Sequence, residues 1–230
     1  MLLLVLTTPG AAATGPAPPA LRLAQTPPGE AERQRYTGLH AAAARGDAAE
    51  IERLLSRKAD PNGRDGHGRT PLHVAAFGSH YDAVRALVRG GANPNALDVQ
   101  RYDIVTIAAV KDDVAMVSLA LALGTSPGNV TSPYDGTALI AAAHLGHEGV
   151  VRELIRARAP LDHVNNLGWT ALIEAVVLGD GGRRHVETVR ALVQAGARAD
   201  LADRQGVTPL AHARQRGYRE MADILEAAGR

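Results

Sequence analysis

Nine histidines and 24 acidic residues are the groups in this chain that could hold a metal ion or move a proton. His144 and His147, three residues apart, have the spacing that can place two imidazoles on one cation. They straddle Gly146, however, and no pair of carboxylates adjoins them. No phosphate loop of the G-x-x-x-x-G-K type, no G-x-G-x-x-G and no H-E-x-x-H occurs. The carboxylates are spread one or two to a helical stretch, so nothing nominates a general acid–base pair. With no cysteine, disulfides and thiolate-bound zinc or iron–sulfur centres are excluded. The residues point to no catalytic group, no cofactor and no metal site.

Most of the histidines recur with a period, and the period belongs to the elements around them. Residues Gly68 to Asp98 contain one complete unit. Thr70 can cap a helix, and Pro71 suits its first position because it lacks an N–H. Leu72, Ala75 and Ala76 fall at helical spacing, and Ala83, Val84, Leu87 and Val88 repeat the pattern on a second short helix. Gly90-Gly91 supplies the stop, and Asn93-Pro94-Asn95 a turn. The central alanine returns as Ala42, Ala75, Ala108, Ala142, Ala175 and Ala213. Thr37, Thr70, Thr137, Thr170 and Thr208 open the units, with Asp103 in the third slot. Second-helix apolar pairs are read at Leu54/Leu55, Leu87/Val88, Leu121/Ala122, Leu154/Ile155 and Leu192/Val193, with Leu225 last.

A period of about 33 carrying T-P-L-H-x-A-A resembles the ankyrin repeat. The resemblance covers residues 36 to 229 and implies an all-α ankyrin-repeat solenoid: six helix-turn-helix units joined by β-hairpin-like fingers. The repeats run over about 36–66, 67–99, 100–133, 134–166, 167–204 and 205–230 of one domain, 36–230. Small alanines at the inner contacts, with only one Phe and one Trp, predict a core of many thin layers. Lys58 and Arg158 take a slot that is glycine at Gly91, Gly124 and Gly196. The fifth repeat carries a five-residue insertion, Asp180 to Arg184, between its helices. His40 and His73 fill the signature position, where a local hydrogen bond is expected. His80, His147 and His185 recur before the second helix, while His67, His163 and His212 stand outside the pattern.

Residues 1–35 differ. Leu2 to Leu6 is a short apolar run, and Ala11-Ala12-Ala13 offers a small-residue cleavage pattern, resembling the later part of a secretory signal peptide. No Lys or Arg precedes the run, so either the start lies upstream or the stretch is an apolar tail. Six of the 13 prolines lie between Pro9 and Pro28, which predicts an unstructured linker. Net charge is +1, giving no field toward nucleic acid or an anionic membrane.

What remains is a surface. The resemblance implies a non-catalytic, monomeric module that binds a partner protein through its fingers and the concave face of its first helices. Candidate contacts on the helices are Phe77, Lys111, His144, Val177 and Leu178, and near the fingers Arg101, Tyr102, Tyr134 and Trp169. Arg183 and Arg184 of the insertion join them. Packing and binding are both open for Phe77 and Tyr102, and Trp169 can simply cover its hairpin. The chain is also similar to bacterial exported ankyrin proteins, some of which are implicated in supporting catalase and peroxide resistance. That similarity implies a periplasmic or secreted protein; the alternative is a cytoplasmic regulator or effector that inhibits or scaffolds an enzyme.

Overall fold

The structure, a computed structural model, describes residues 25–229. Helix α1 is Glu30–Arg35. Six pairs follow: α2 Gly38–Arg45 and α3 Ala48–Ser56, α4 Pro71–Phe77 and α5 Tyr81–Arg89, α6 Ile104–Val110 and α7 Val114–Ala122. Then come α8 Ala138–His144 and α9 Glu148–Arg156, α10 Ala171–Val177 and α11 Arg183–Gln194, α12 Pro209–Gln215 and α13 Arg219–Ala228. The even-numbered helices from α2 to α12 stack as one inner layer, and the odd-numbered ones from α3 lie behind them. Among the described residues there is no strand, only one isolated bridge between Thr131 and Gly136.

Helices this short are not stable in isolation, so caps and neighbours must hold them. Asp103, Thr137, Thr170 and Thr208 accept a bond from the backbone of the first turn of their inner helices, as Asp47 and Asp113 do for outer ones. All six periodic alanines are fully buried. A larger side chain there would force neighbouring layers apart, at about 1–3 kcal/mol. The outer layer buries Leu87, Leu154, Leu192 and Leu225 in the expected register. In α7 the register is one residue earlier than the sequence reading: Leu119 and Ala120 are buried, Leu121 is half-buried and Ala122 exposed. That helix is apolar on every side, so its sequence carries no phase to read.

Four of the five fingers are each folded by one short polar side chain. Asp65, Asp98, Asn165 and Asp203 accept the N–H groups two and four residues on, at 2.8–3.0 Å. Neighbouring fingers are joined by Val99 N–H to His67 O, Ser132 N–H to Arg101 O and Asn166 N–H to Tyr134 O, at 2.9–3.0 Å.

The periodic histidines are rivets between repeats. His40 Nε2 lies 3.0 Å from Arg69 O, and His73 Nε2 lies 3.0 Å from Tyr102 O, each in the next finger. Thr70 N–H donates to His73 Nδ1, so His73 is neutral and donates from Nε2. Burial pushes its pKa down to about 4. His80, His147 and His185 reach back to Ala44 O, Ala109 O and His144 O of the preceding repeat. In the third repeat the equivalent slot is Asp113, which cannot donate. There Lys111 Nζ supplies the bond, 2.6 Å from Phe77 O.

Two further expectations change. Arg183 and Arg184 do not lie in an inserted loop; they form the first turn of α11, which at 12 residues is longer than α5, α7 or α9. Gly181 sits at φ 72° under the Tyr218 ring, where a Cβ would be 2.5 Å from that ring. Residues 25–35 are not a linker: they run in extended form and then as α1 against the first repeats. The signal-like stretch, residues 2–13, lies outside the described residues. Lys58 and Arg158 do adopt the left-handed backbone of the glycine slot, at φ 65° and 61°.

Candidate interaction surface

The concave face is floored by the inner helices and walled by the fingers, and it divides into two regions. Over the first three repeats a charged network holds the N-terminal segment in place. Its centre is Arg69, whose side chain is 1% exposed. The guanidinium donates to Asp65 at 2.8 Å, to Thr26 O at 3.0 Å and to Glu32, and lies 3.1 Å from His67 Nδ1. Tyr36 donates its hydroxyl to Asp65 at 2.6 Å. Burial works to raise the Asp65 carboxyl, but the bonds from Tyr36 and Arg69 outweigh it and bring the pKa to about 2. Glu32, Asp65 and His67 converge closely enough to suggest a cation site. The cation is already present, because the Arg69 guanidinium lies between them.

Over repeats three to five the face holds a small polar cavity of about 20 Å³, room for one water. Glu174, 3% exposed, closes its floor with bonds to Asn165 Nδ2 at 2.8 Å and His144 Nδ1 at 3.1 Å. His144 and His147 do not share a cation geometry. His144 Nδ1 is turned to Glu174, and His147 Nδ1 to Ala109 O at 2.8 Å.

The candidate contact residues separate cleanly. Tyr102 and Val177 are core side chains, 2% and 5% exposed, so neither can contact a partner. A tyrosine directly before a helix cap faces the finger–helix seam, which burial of the next repeat then closes. Lys111 is exposed, but its ammonium is committed to Phe77 O and Ser79 Oγ, and burial lowers its pKa. Arg184 bonds Asp112 and Gly146 O, tying α11 to two earlier repeats. Arg101 is exposed and paired with Asp135 at 3.2 Å. Arg183 is exposed, while Trp169, Leu178, Tyr134 and Phe77 are half-buried. Tyr134 and His144 line the polar cavity together, and Phe77 faces Pro27 and Pro28.

Sequence reasoning missed three things. Val99, Val130 and Val164, on consecutive fingers, are 68%, 38% and 51% exposed, the most prominent apolar side chains of the finger row. Arg69 was also passed over, although the slot before the capping Thr or Asp otherwise holds Tyr36, Tyr102, Gly136, Trp169 or Val207. A lone charge in that series was the available signal. Gly124-Thr125-Ser126-Pro127-Gly128 spells G-x-S-x-G, the pattern of a nucleophile elbow. It forms a finger turn after α7 with no preceding strand, and Ser126 Oγ accepts Gly128 N–H at 3.2 Å.

The family model described as Ankyrin repeats (3 copies) matches residues 11–98 and 105–197. The chain belongs to the ankyrin repeat family. It is similar to the ankyrin repeat protein YahD of Escherichia coli K12, at 35% identity over 82% of this chain and 94% of that one. It is also similar to a crystallised ankyrin repeat domain from Acinetobacter baumannii, at 42% identity and a TM-score of 0.79, covering 83% of this chain and 97% of that one. A chain in the complex of the Bdellovibrio bacteriovorus predatory endopeptidase Bd0816 with immunity protein Bd3460 shares the fold, at TM-score 0.68 and 24% identity over 84% of this chain and 98% of that one. Ankyrin repeats are protein–protein interaction modules, generally without catalysis of their own. No helix among the described residues is long and apolar enough to cross a membrane.

Proposed function

We propose that this ankyrin protein is a non-catalytic adaptor that docks a partner protein on its finger row and on the concave face behind it. The observation that carries the reading is that three successive fingers each leave a valine exposed, Val99, Val130 and Val164. Apolar side chains held outward on a rigid scaffold gain free energy only when another surface covers them. Arg101, Tyr134 and Trp169 lie on the same three fingers and are of the residue types that anchor interfaces. The complex of an endopeptidase with its immunity protein, in which a chain of this fold takes part, is consistent with such a role.

The test is affinity capture from the source cell's extract, with the wild-type chain and a Val99→Asp/Val164→Asp variant as baits. Partners held by wild type and lost by the variant, at an unchanged melting temperature, are the expected result. An identical set of captured proteins would overturn the finger-row assignment. Export to a periplasmic or secreted compartment, with a role in peroxide resistance, is part of the same proposal. The Leu2–Leu6 run and the Ala11–Ala13 pattern support export, and the peroxide role rests on resemblance alone. Fractionation of cells carrying a C-terminally tagged gene, and peroxide survival of a deletion strain, test the two separately.

A further inference from the structure

Gln25–Gly29 lies in the concave groove the way a bound peptide would. Thr26 precedes Pro27-Pro28, which restricts the run to an extended, polyproline-type backbone, and Gly29 follows at φ −65°, ψ 164°. Both main-chain polar groups of Thr26 are read by side chains of the repeats: its N–H by Gln100 Oε1 at 3.3 Å, its carbonyl by Arg69 Nη1 at 3.0 Å. Gln25 extends an amide to Thr106 O at 2.9 Å, at the edge of the third inner helix. Pro28 is buried. Beside the prolines the groove is not filled. Between Pro27, Pro28 and the wall formed by Ala44, Val74, Phe77 and His80 lies a cavity of about 230 Å³. The cleft opens to solvent beside Pro27, so a side chain larger than proline has room in it.

We propose that this groove is a binding site for extended, proline-containing peptide segments of a partner, with a large apolar side chain anchored against Phe77 and Val74, and that Gln25–Pro28 occupies it as a built-in competitor. The inference deepens the docking function above and rests on it. Backbone reading by Gln100 and Arg69 makes the groove tolerant of sequence. The cavity makes it prefer a bulkier residue than the one the chain supplies. The tether keeps the weak internal segment at an effective concentration in the millimolar range, so a free segment of the same sequence cannot compete. A partner with a better anchor can.

The experiment uses the full chain carrying a specific protease site inserted between Gly29 and Glu30, folded and then cut. The probe is a labelled synthetic peptide of residues 20–29, followed by fluorescence anisotropy. Cutting should raise its affinity at least ten-fold over the uncut chain, and a Pro27→Trp peptide should bind several-fold more tightly still. Phe77→Asp in the cut protein should abolish the gain from Trp. Size exclusion follows the released fragment: one that stays bound but is displaced by the Pro27→Trp peptide also supports the proposal. Once the fragment has left, an affinity equal to that of the uncut chain would overturn it, as would no saturable binding; so would a retained fragment that no peptide displaces. A partner captured equally by cut and uncut chains leaves the finger row standing and removes the competitor. Peptide binding gained on cutting, with no partner captured by either form, sinks the adaptor reading instead.

Discussion

Repeats one to three and repeats four to six present equivalent inner helices to the concave face, yet among the described residues only the first set is covered. The difference traces to single side chains on a common backbone. In the first finger the residue before the capping threonine is Arg69, which recruits Asp65, Glu32 and the Thr26 carbonyl and so binds eleven extra residues to the array. In the fourth finger the same slot is Trp169, half-buried and making only its finger's backbone bonds. There the polar cluster is confined to Glu174, Asn165 and His144, and nothing reaches out from it. A repeat scaffold thus acquires a special face by one charge in one slot, without a change of fold.

The strongest challenge to that comparison is Arg69→Met. It strands the buried Asp65 carboxylate and frees the Thr26 carbonyl, and should cost about 4 kcal/mol in urea unfolding. Amide exchange should rise over residues 25–35 while the fourth to sixth repeats keep their protection; uniform loosening of all six would show that the two regions are not distinct. Acid sharpens the contrast next. His73 is held neutral with a pKa near 4 against about 6.5 unfolded, so between those values the unfolded chain binds more protons. Stability present above pH 6.5 is therefore lost as pH falls, by roughly 3 kcal/mol in total. A second loss follows from Asp65, whose stabilisation is present above pH 3.8 and disappears as pH falls through about 2. Melting curves against pH should show the first step flattened in His73→Gln and the second in Asp65→Asn.

Two smaller effects test whether the regions share their local rules. Gly181→Ala forces a side chain into the Tyr218 ring from a left-handed backbone, and should lower stability by about 2 kcal/mol, read as a shifted urea midpoint. Lys58→Gly and Arg158→Gly relieve the same backbone strain in opposite halves of the array. Each should gain about 0.5–1 kcal/mol in the same assay, and unequal gains would mean that neighbours, and not the slot, set the cost.

The fold was legible because a repeat states its rule six times. The buried alanines, the caps at Asp103, Thr137, Thr170 and Thr208 and even the strained Lys58 slot followed from alignment of the chain with itself, whereas Thr37 makes no cap bond and the Thr70 hydroxyl pairs with His73. Where one unit lost its contrast, as in the uniformly apolar α7, the reading slipped by a residue. The surface was far less legible. Tyr102 and Val177 occupy positions that vary between repeats, and variation looks like freedom in a sequence. Their burial depends on how closely the next layer approaches, which no single repeat records. Lys111 and Arg184 looked like free cations, and each is spent on a carbonyl or carboxylate from another repeat, 34 and 72 residues away.

From its sequence alone this chain determined six stacked helical hairpins, because period, small residues and capping groups act within one repeat or between adjacent ones. Only the tertiary structure decided which side of the array is occupied and by what. The bonds that hold Gln25 and Thr26 to Thr106, Gln100 and Arg69 join residues 43 to 81 positions apart. No pattern of neighbours along the chain encodes them, since a backbone carbonyl accepts from whatever donor the fold brings within 3 Å.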